Sequence, residues 1–103
     1  MKPRNCCLTL VGPISIEEEL VDRMLEHPEW VTGFTTERVE GLGQAVIARG
    51  AADLVRGRSG RIMLQAVMHD DDARLLLAHL KAALPNHEVA YWIQPVAEFG
   101  RFA

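Results

Sequence analysis

A chain of 103 residues with 49% hydrophobic content suits one compact domain with a single core, residues 1–103, and is too short for two. Its formal net charge of −3 at pH 7 argues against a dedicated nucleic-acid binder, which would carry a basic surface to neutralise phosphates. No apolar run approaches the roughly 20 residues that span a bilayer, and no apolar signal region precedes a cleavage site, so we expect a cytoplasmic protein.

The first part of the chain predicts a strand followed by a helix. Residues 5–11 form a nearly continuous apolar run that ends at Gly12, as expected of a strand buried on both faces. Ser15 and Glu18 have the spacing of a capping box, in which two side chains satisfy backbone N–H groups at a helix start. Apolar residues then recur at helical spacing until Pro28, which stops the pattern.

The rest of the chain predicts two more strands, a second helix and a last strand. Residues 30–39 and 61–68 are rich in β-branched and apolar residues without helical spacing, which favours strands. The acidic triplet 70–72 supplies an N-cap and favourable first-turn charge for a helix that ends before Pro85. Residues 88–96 predict the fourth strand. The order βαββαβ indicates an α+β fold of the ferredoxin-like class, an antiparallel sheet with two helices on one face.

The longest irregular segment lies between the second and third predicted strands, at residues 40–60. A hairpin needs only about two to five residues there, and longer loops are usually functional or mobile. The segment carries Arg49, Arg56 and Arg58 in an otherwise acidic chain. We therefore expect a loop that binds an anion or a protein partner. The alternative is a solvated loop whose arginines are incidental.

The residues that enter this loop resemble those of the PII signal-transduction proteins. Residues 33–43 read GFTTERVEGLG and match the pattern G-x-T-x-x-x-V-x-G-x-G, which in PII proteins leads from strand two into the long T-loop. Residues 67–71 resemble the PII junction between strand three and helix two, and residues 92–96 resemble the last PII strand. The chain is thus similar, over almost its whole length, to a divergent PII-like subgroup, with a T-loop at 40–60.

The resemblance implies a homotrimer that binds ATP, ADP or AMP in clefts between subunits and controls a protein partner, such as a membrane transporter, through its T-loop. The glycines would let the backbone approach the nucleotide, and an arginine would replace a phosphate-contacting lysine. Val67 would line the base pocket. The implied ligand-binding residues are Thr35, Gly41, Gly43, Arg61, Val67 and Arg101, and the implied partner-binding residues are Arg49, Arg56 and Arg58.

One PII feature is missing from the sequence. PII proteins carry a glycine-rich phosphate-binding loop that ends in lysine just before strand four, whereas residues 84–90 read LPNHEVA and place Ala90 at the lysine position. The backbone cradle and its positive charge are therefore absent, which removes much of the phosphate affinity. The identity of the ligand stays open.

Two other functions are compatible with the sequence. A metal-binding or metal-tolerance protein similar to the CutA trimers would need its histidines to converge across a subunit interface, because they form no ligand motif: His27, His69, His79 and His87. We assign no metal ligand among them. A pure interaction module would bury the aromatic residues Trp30, Tyr91, Trp92 and Phe99 between subunits. No nucleophile elbow, Walker motif or dinucleotide fingerprint is present, so we expect no enzymatic activity.

Overall fold

The secondary structure follows the predicted βαββαβ order. The computed structural model describes residues 2–42 and 58–103. The elements are β1 (Cys6–Pro13), a 3-10 turn (Ile14–Ile16), α1 (Glu17–Leu25), β2 (Thr35–Leu42), β3 (Arg58–Met68), α2 (Asp70–Ala83) and β4 (Ala90–Pro95). Neither α1 nor α2 nor any other helix among the described residues is long and apolar enough to cross a membrane.

The four strands form one antiparallel sheet in the order β2-β3-β1-β4. Leu8 of β1 lies opposite Ala66 of β3 on one side and Ile93 of β4 on the other. Both helices pack on one face of the sheet, because the buried residues of α1 and α2 share a single core with alternate residues of β1 and β3. The ferredoxin-like fold predicted from the sequence is confirmed.

The core lies between the helices and the sheet and reflects the two periodicities of the sequence. In β1, Leu8 and Leu10 point toward the helices, as alternation along a strand requires. In α2 the buried residues recur at intervals of three and four, which places them on one stripe: Ala73, Leu76, Leu77 and Leu80. Leu75 lies on the opposite side of α2 and is 52% exposed.

The helix starts differ from the sequence prediction. Ser15 does not form a capping box, because it lies in the 3-10 turn and α1 starts after Ile16, whose side chain has no oxygen to cap the helix. At α2 the N-cap is His69 rather than the acidic triplet, and its Nδ1 accepts a hydrogen bond of 3.2 Å from the backbone N–H of Asp71. The triplet occupies the first turn of α2, where negative charge is favourable.

The Ser15→Ala substitution is therefore expected to change the free energy of unfolding by less than about 0.5 kcal/mol, as at other exposed positions. A serine that capped the helix would cost about 1 kcal/mol on removal. Urea denaturation measures the difference, with His69→Ala as the comparison, since it removes the acceptor at the start of α2. A loss near 1 kcal/mol for Ser15→Ala would show that Ser15 does cap the helix and would contradict this description of the start of α1.

The second strand starts later, and its pairing with the third extends further, than the sequence indicates. Trp30 belongs to the turn after α1, where its backbone N–H donates to the His27 carbonyl and its side chain packs against the core. The ladder between β2 and β3 continues to the pair of Leu42 and Arg58. Both ends of the loop predicted at 40–60 are thus strand, and its interior lies outside the described residues.

Candidate functional site

Three of the implied ligand-binding residues line one surface cleft. Thr35 is the first residue of β2, Val67 is near the end of β3, and Arg101 lies in the segment after β4. They border a cleft of about 300 Å³, whose wall also contains Thr32, Gly33, Phe34, Gln65 and Phe99. The fold thus brings together residues from distant parts of the sequence at one end of the sheet.

The cleft has the chemistry of an anion site. Arg4 and Arg101 both line it, and their guanidinium carbons lie 4.7 Å and 6.0 Å from the centre of the Phe99 ring. No aspartate or glutamate is among the described residues that form its wall. Two cations beside an aromatic ring and threonine hydroxyls suit a phosphorylated ligand with a flat ring. Sequence reasoning missed Arg4, because a single basic residue ahead of a strand belongs to no motif.

Gly41 and Arg61, which the resemblance also implies in ligand binding, lie toward the opposite end of the sheet. Gly41 pairs with Ser59, whereas Thr35 pairs with Gln65. The strand from Thr35 to Gly41 spans about 20 Å, at about 3.3 Å per residue. Thr35 and Gly41 therefore lie near opposite ends of β2 within one chain.

Arg61 is buried and faces a carboxylate. Its side chain is 7% exposed, and its Nη1 lies 3.6 Å from Oε2 of Glu88, whose side chain is 10% exposed. This distance makes an ion pair but is too long for a hydrogen bond, and Nη1 has no other hydrogen-bond partner among the described residues. Glu88 lies in the segment where PII proteins carry their phosphate-binding loop. The ion pair thus involves the residue to which the resemblance assigns phosphate binding.

The remaining implied residues fall on the segment between β2 and β3. Gly43, Arg49 and Arg56 lie outside the described residues. Arg58 is the first residue of β3, and its backbone pairs with Leu42. The prediction that these arginines contact a partner is neither supported nor opposed by the fold.

The face of the sheet away from the helices carries apolar side chains. Strand alternation and register place Cys7, Val11, Met63 and Val67 there, all half-buried. Thr9 in the centre is fully buried and accepts a hydrogen bond of 3.3 Å from Nε2 of Gln65. Trp92 lies opposite Thr9 on β4 and is 40% exposed. Exposed apolar surface of this kind is typical of contacts between subunits.

A second cavity lies on the helix side of the sheet. It has a volume of about 360 Å³ and an apolar wall that includes Leu20, Leu77 and Leu80. At its edge, Nζ of Lys81 donates a hydrogen bond of 2.8 Å to Oη of Tyr91. Of the implied ligand-binding residues that the structure describes, none borders this cavity.

The histidines are distributed differently from the sequence expectation. His27 and His79 meet within one chain, with ring centroids 4.2 Å apart, so their convergence does not need a subunit interface. His69 caps α2. His87 is exposed in the segment between α2 and β4. Spacing along the sequence gave no signal for the first pair, because one histidine follows α1 and the other lies within α2.

Cys6 is a structural residue rather than a reactive thiol. Burial raises the pKa of the Cys6 thiol, and the nearby negative charge of Asp70 acts in the same direction. The thiol therefore stays protonated at neutral pH, and a protonated thiol is a weak nucleophile. Cys6 serves as a small core residue under α2.

Comparison with known proteins gives a family and a fold. Residues 3–103 match the family described as "Protein of unknown function (DUF3240)". No curated protein matches the chain. Among solved structures, a DUF3240 family protein from Shewanella baltica OS155 superimposes with a TM-score of 0.77 at 19% identity, over 98% of this chain and 99% of that one.

PII-like proteins are also among the similar structures. A putative PII-like signaling protein from Thermus thermophilus has a TM-score of 0.64 at 22% identity, over 89% of this chain and 86% of that one. CPII, a nitrogen regulatory PII-like protein from Thiomonas intermedia K12 bound to ADP, AMP and bicarbonate, has a TM-score of 0.68 at 17% identity, over 94% and 93%. The resemblance seen in the sequence is confirmed: the fold is that of the PII-like proteins.

Proposed function

This chain belongs to the DUF3240 family, and on that premise we propose that it is a PII-like regulatory protein whose homotrimer binds an adenine nucleotide between subunits. ADP and AMP are the first candidates, because the similar CPII structure is bound to both. ATP is the third. The bound nucleotide changes the affinity of the T-loop for a protein partner. We propose that this partner is a membrane transporter.

The cleft bordered by Thr35, Val67 and Arg101 is the observation that carries this proposal. Its arginines supply positive charge for phosphate groups, and its aromatic and aliphatic side chains supply a surface for the base. The glycine-rich loop of PII proteins is missing from this chain. Guanidinium groups therefore donate the hydrogen bonds to phosphate that backbone N–H groups donate in PII proteins. We propose that Arg4 and Arg101 bind the phosphate groups in place of that loop.

The separation of the two groups of ligand-binding residues supports a site shared between subunits. In the proposed trimer, the Thr35 end of one sheet lies next to the Gly41 and Arg61 end of its neighbour. The sheet face around Trp92 supports this assembly, because it combines apolar and polar side chains on a surface that the helices do not cover. Occupancy of the site then depends on assembly.

The position of the loop supports a link between ligand and partner. The two strands that hold it, β2 and β3, also carry Thr35, Gly41, Arg61 and Val67. A nucleotide that contacts these strands has direct access to the base of the loop. We propose that Arg49, Arg56 and Arg58 then contact acidic groups of the partner.

Binding of ADP, measured by isothermal titration calorimetry, tests the nucleotide site. Arg101→Ala is expected to weaken binding about tenfold to a hundredfold, because a hydrogen bond to a charged group contributes about 1.5–3 kcal/mol. The matched control is Arg23→Ala, which removes a half-buried arginine of α1 that does not border the cleft and leaves the affinity unchanged. Equal affinities for Arg101→Ala and the parent chain would exclude this cleft, and no binding of ADP, AMP or ATP would exclude the proposed function.

A further inference from the structure

We infer that Glu26, His27 and His79 form a site for a transition-metal ion such as Zn²⁺, separate from the nucleotide cleft. Each of the three offers one ligand atom, and these atoms lie within 4.8 Å of one another. None of them borders the cleft of Thr35 and Arg101. The inference therefore does not rest on the proposed nucleotide binding.

The two helices position these side chains. Glu26 is the C-cap of α1 and His27 follows it, while His79 lies in the third turn of α2. The rings of His27 and His79 meet edge to face, at an interplanar angle of 71°. A single ion can then be bound by residues from both helices.

The surroundings of His27 leave its Nε2 atom as a lone-pair donor that is available to a metal ion. Its Nδ1 lies 3.2 Å from Oε1 of Glu29, which assigns the proton to Nδ1 and the lone pair to Nε2. Nε2 is buried and has no hydrogen-bond partner among the described residues. A buried acceptor without a partner is costly, and a metal ion would satisfy it. A carboxylate on one histidine nitrogen with a metal on the other is a recurrent arrangement in metal sites.

Trp30 holds the His27 ring in place. The two rings are stacked, with centroids 4.7 Å apart and an interplanar angle of 16°. The Trp30 ring also meets His79 edge to face at 6.4 Å. A ligand ring fixed by stacking and by the Glu29 carboxylate loses little conformational entropy when it binds an ion.

The donor set indicates the class of metal. Two imidazoles and one carboxylate suit Zn²⁺ or Cu²⁺, whereas Mg²⁺ and Ca²⁺ prefer sites made of oxygen. Bonds of about 2.0–2.1 Å need ligand atoms about 3.4 Å apart, so a small change of rotamer closes the site. The Glu26 carboxylate is 3.6 Å from Nη1 of Arg23, but this exposed pair is weak and yields readily to an ion.

The competing interpretation is an aromatic cluster that only holds the end of α1 against α2. It predicts that histidine substitutions lower stability and that Zn²⁺ has no specific effect. The metal interpretation predicts a bound ion that depends on particular nitrogen and oxygen atoms. Zn²⁺ binding and its dependence on the ligands separate the two.

The experiment is a titration of the untagged full chain with Zn²⁺, measured by isothermal titration calorimetry. We expect one Zn²⁺ per chain, and we expect His79→Gln and His27→Gln each to weaken binding at least tenfold. Glu29→Gln is expected to weaken it about tenfold, within the range seen for residues that orient a ligand. His87→Gln is the matched control, since it removes an exposed histidine outside the cluster and leaves the affinity unchanged.

Cobalt provides a second readout that a merely structural role would not change. Co²⁺ bound in place of Zn²⁺ gives visible absorption bands whose intensity reports a four-coordinate site, and His79→Gln is expected to reduce them. His27 and His79 are both half-buried, so either variant stays informative if the other fails to fold. No Zn²⁺ binding, or binding that His79→Gln leaves intact, would overturn the inference.

Discussion

Replacement of Arg61 by alanine is expected to lower the free energy of unfolding by about 3 kcal/mol. The substitution leaves the Glu88 carboxylate without the guanidinium 3.6 Å from it, and removal of one partner from a buried ion pair costs about 3–5 kcal/mol. We take the lower end because the pair is not hydrogen-bonded and because Glu88 makes a further interaction that the substitution leaves in place. Urea denaturation of the parent protein and of the Arg61→Ala variant measures the loss.

Arg38→Ala is the matched control for Arg61→Ala. Nη2 of Arg38 lies 3.0 Å from Oε1 of Glu17, but the arginine side chain is 68% exposed. Such surface pairs contribute about 0–1 kcal/mol, so the loss is expected to stay below about 1 kcal/mol. Similar losses for the two variants would contradict the assignment of Arg61 to a buried pair.

The Arg61 ion pair also determines how nucleotide binding should be tested. In the proposed site, a phosphate that binds Arg61 would have to compete with Glu88 for the guanidinium group. Arg61→Ala would combine a loss of stability with a loss of binding. Arg101, whose nearest described ring contact is Phe99 at 6.0 Å, gives the clearer test.

The substitution Trp92→Glu is expected to convert the proposed trimer into monomers. Trp92 lies on the sheet face away from the helices, opposite Thr9 and beside half-buried apolar side chains. In the proposed assembly this face is buried between subunits, and an unpaired carboxylate buried there costs several kcal/mol in each of the three chains. Sedimentation velocity distinguishes the trimer from the monomer.

Leu75→Glu is the matched control for Trp92→Glu. Leu75 is also a large apolar residue and is 52% exposed, but it lies on the outer side of α2. We expect this variant to remain trimeric and folded. A parent chain that sediments as a monomer, or a Trp92→Glu variant that remains trimeric, would contradict the assignment of the open sheet face to subunit contact.

The fold was predictable from the sequence because it depends on patterns that act over short distances. The apolar run of residues 5–11 and the stripe in residues 73–80 correspond to β1 and α2. The start of α1 was not predictable, since Pro13 is followed by a 3-10 turn in which Ser15 is too early to cap the helix. The position of Trp30 was not predictable either, because burial in a turn and burial in a strand require the same kind of side chain.

The candidate site was predictable only in part. The resemblance to PII proteins identified Thr35, Val67 and Arg101, which the structure brings to one cleft. It did not identify the partner of Arg61, because the pairing of Arg61 with Glu88 depends on the register of β1 with both β3 and β4. The meeting of His27 and His79 depends on how α1 and α2 pack, which no spacing in the sequence encodes.

Native mass spectrometry of the untagged chain with ADP tests the central claim most directly, because it reports assembly and ligand together. We predict a complex of three chains that binds up to three ADP molecules, with fewer bound in Arg101→Ala and an unchanged number in Arg23→Ala. A trimer that binds no ADP, AMP or ATP, or a monomer that binds ADP as tightly as any assembly does, would contradict a nucleotide site shared between subunits.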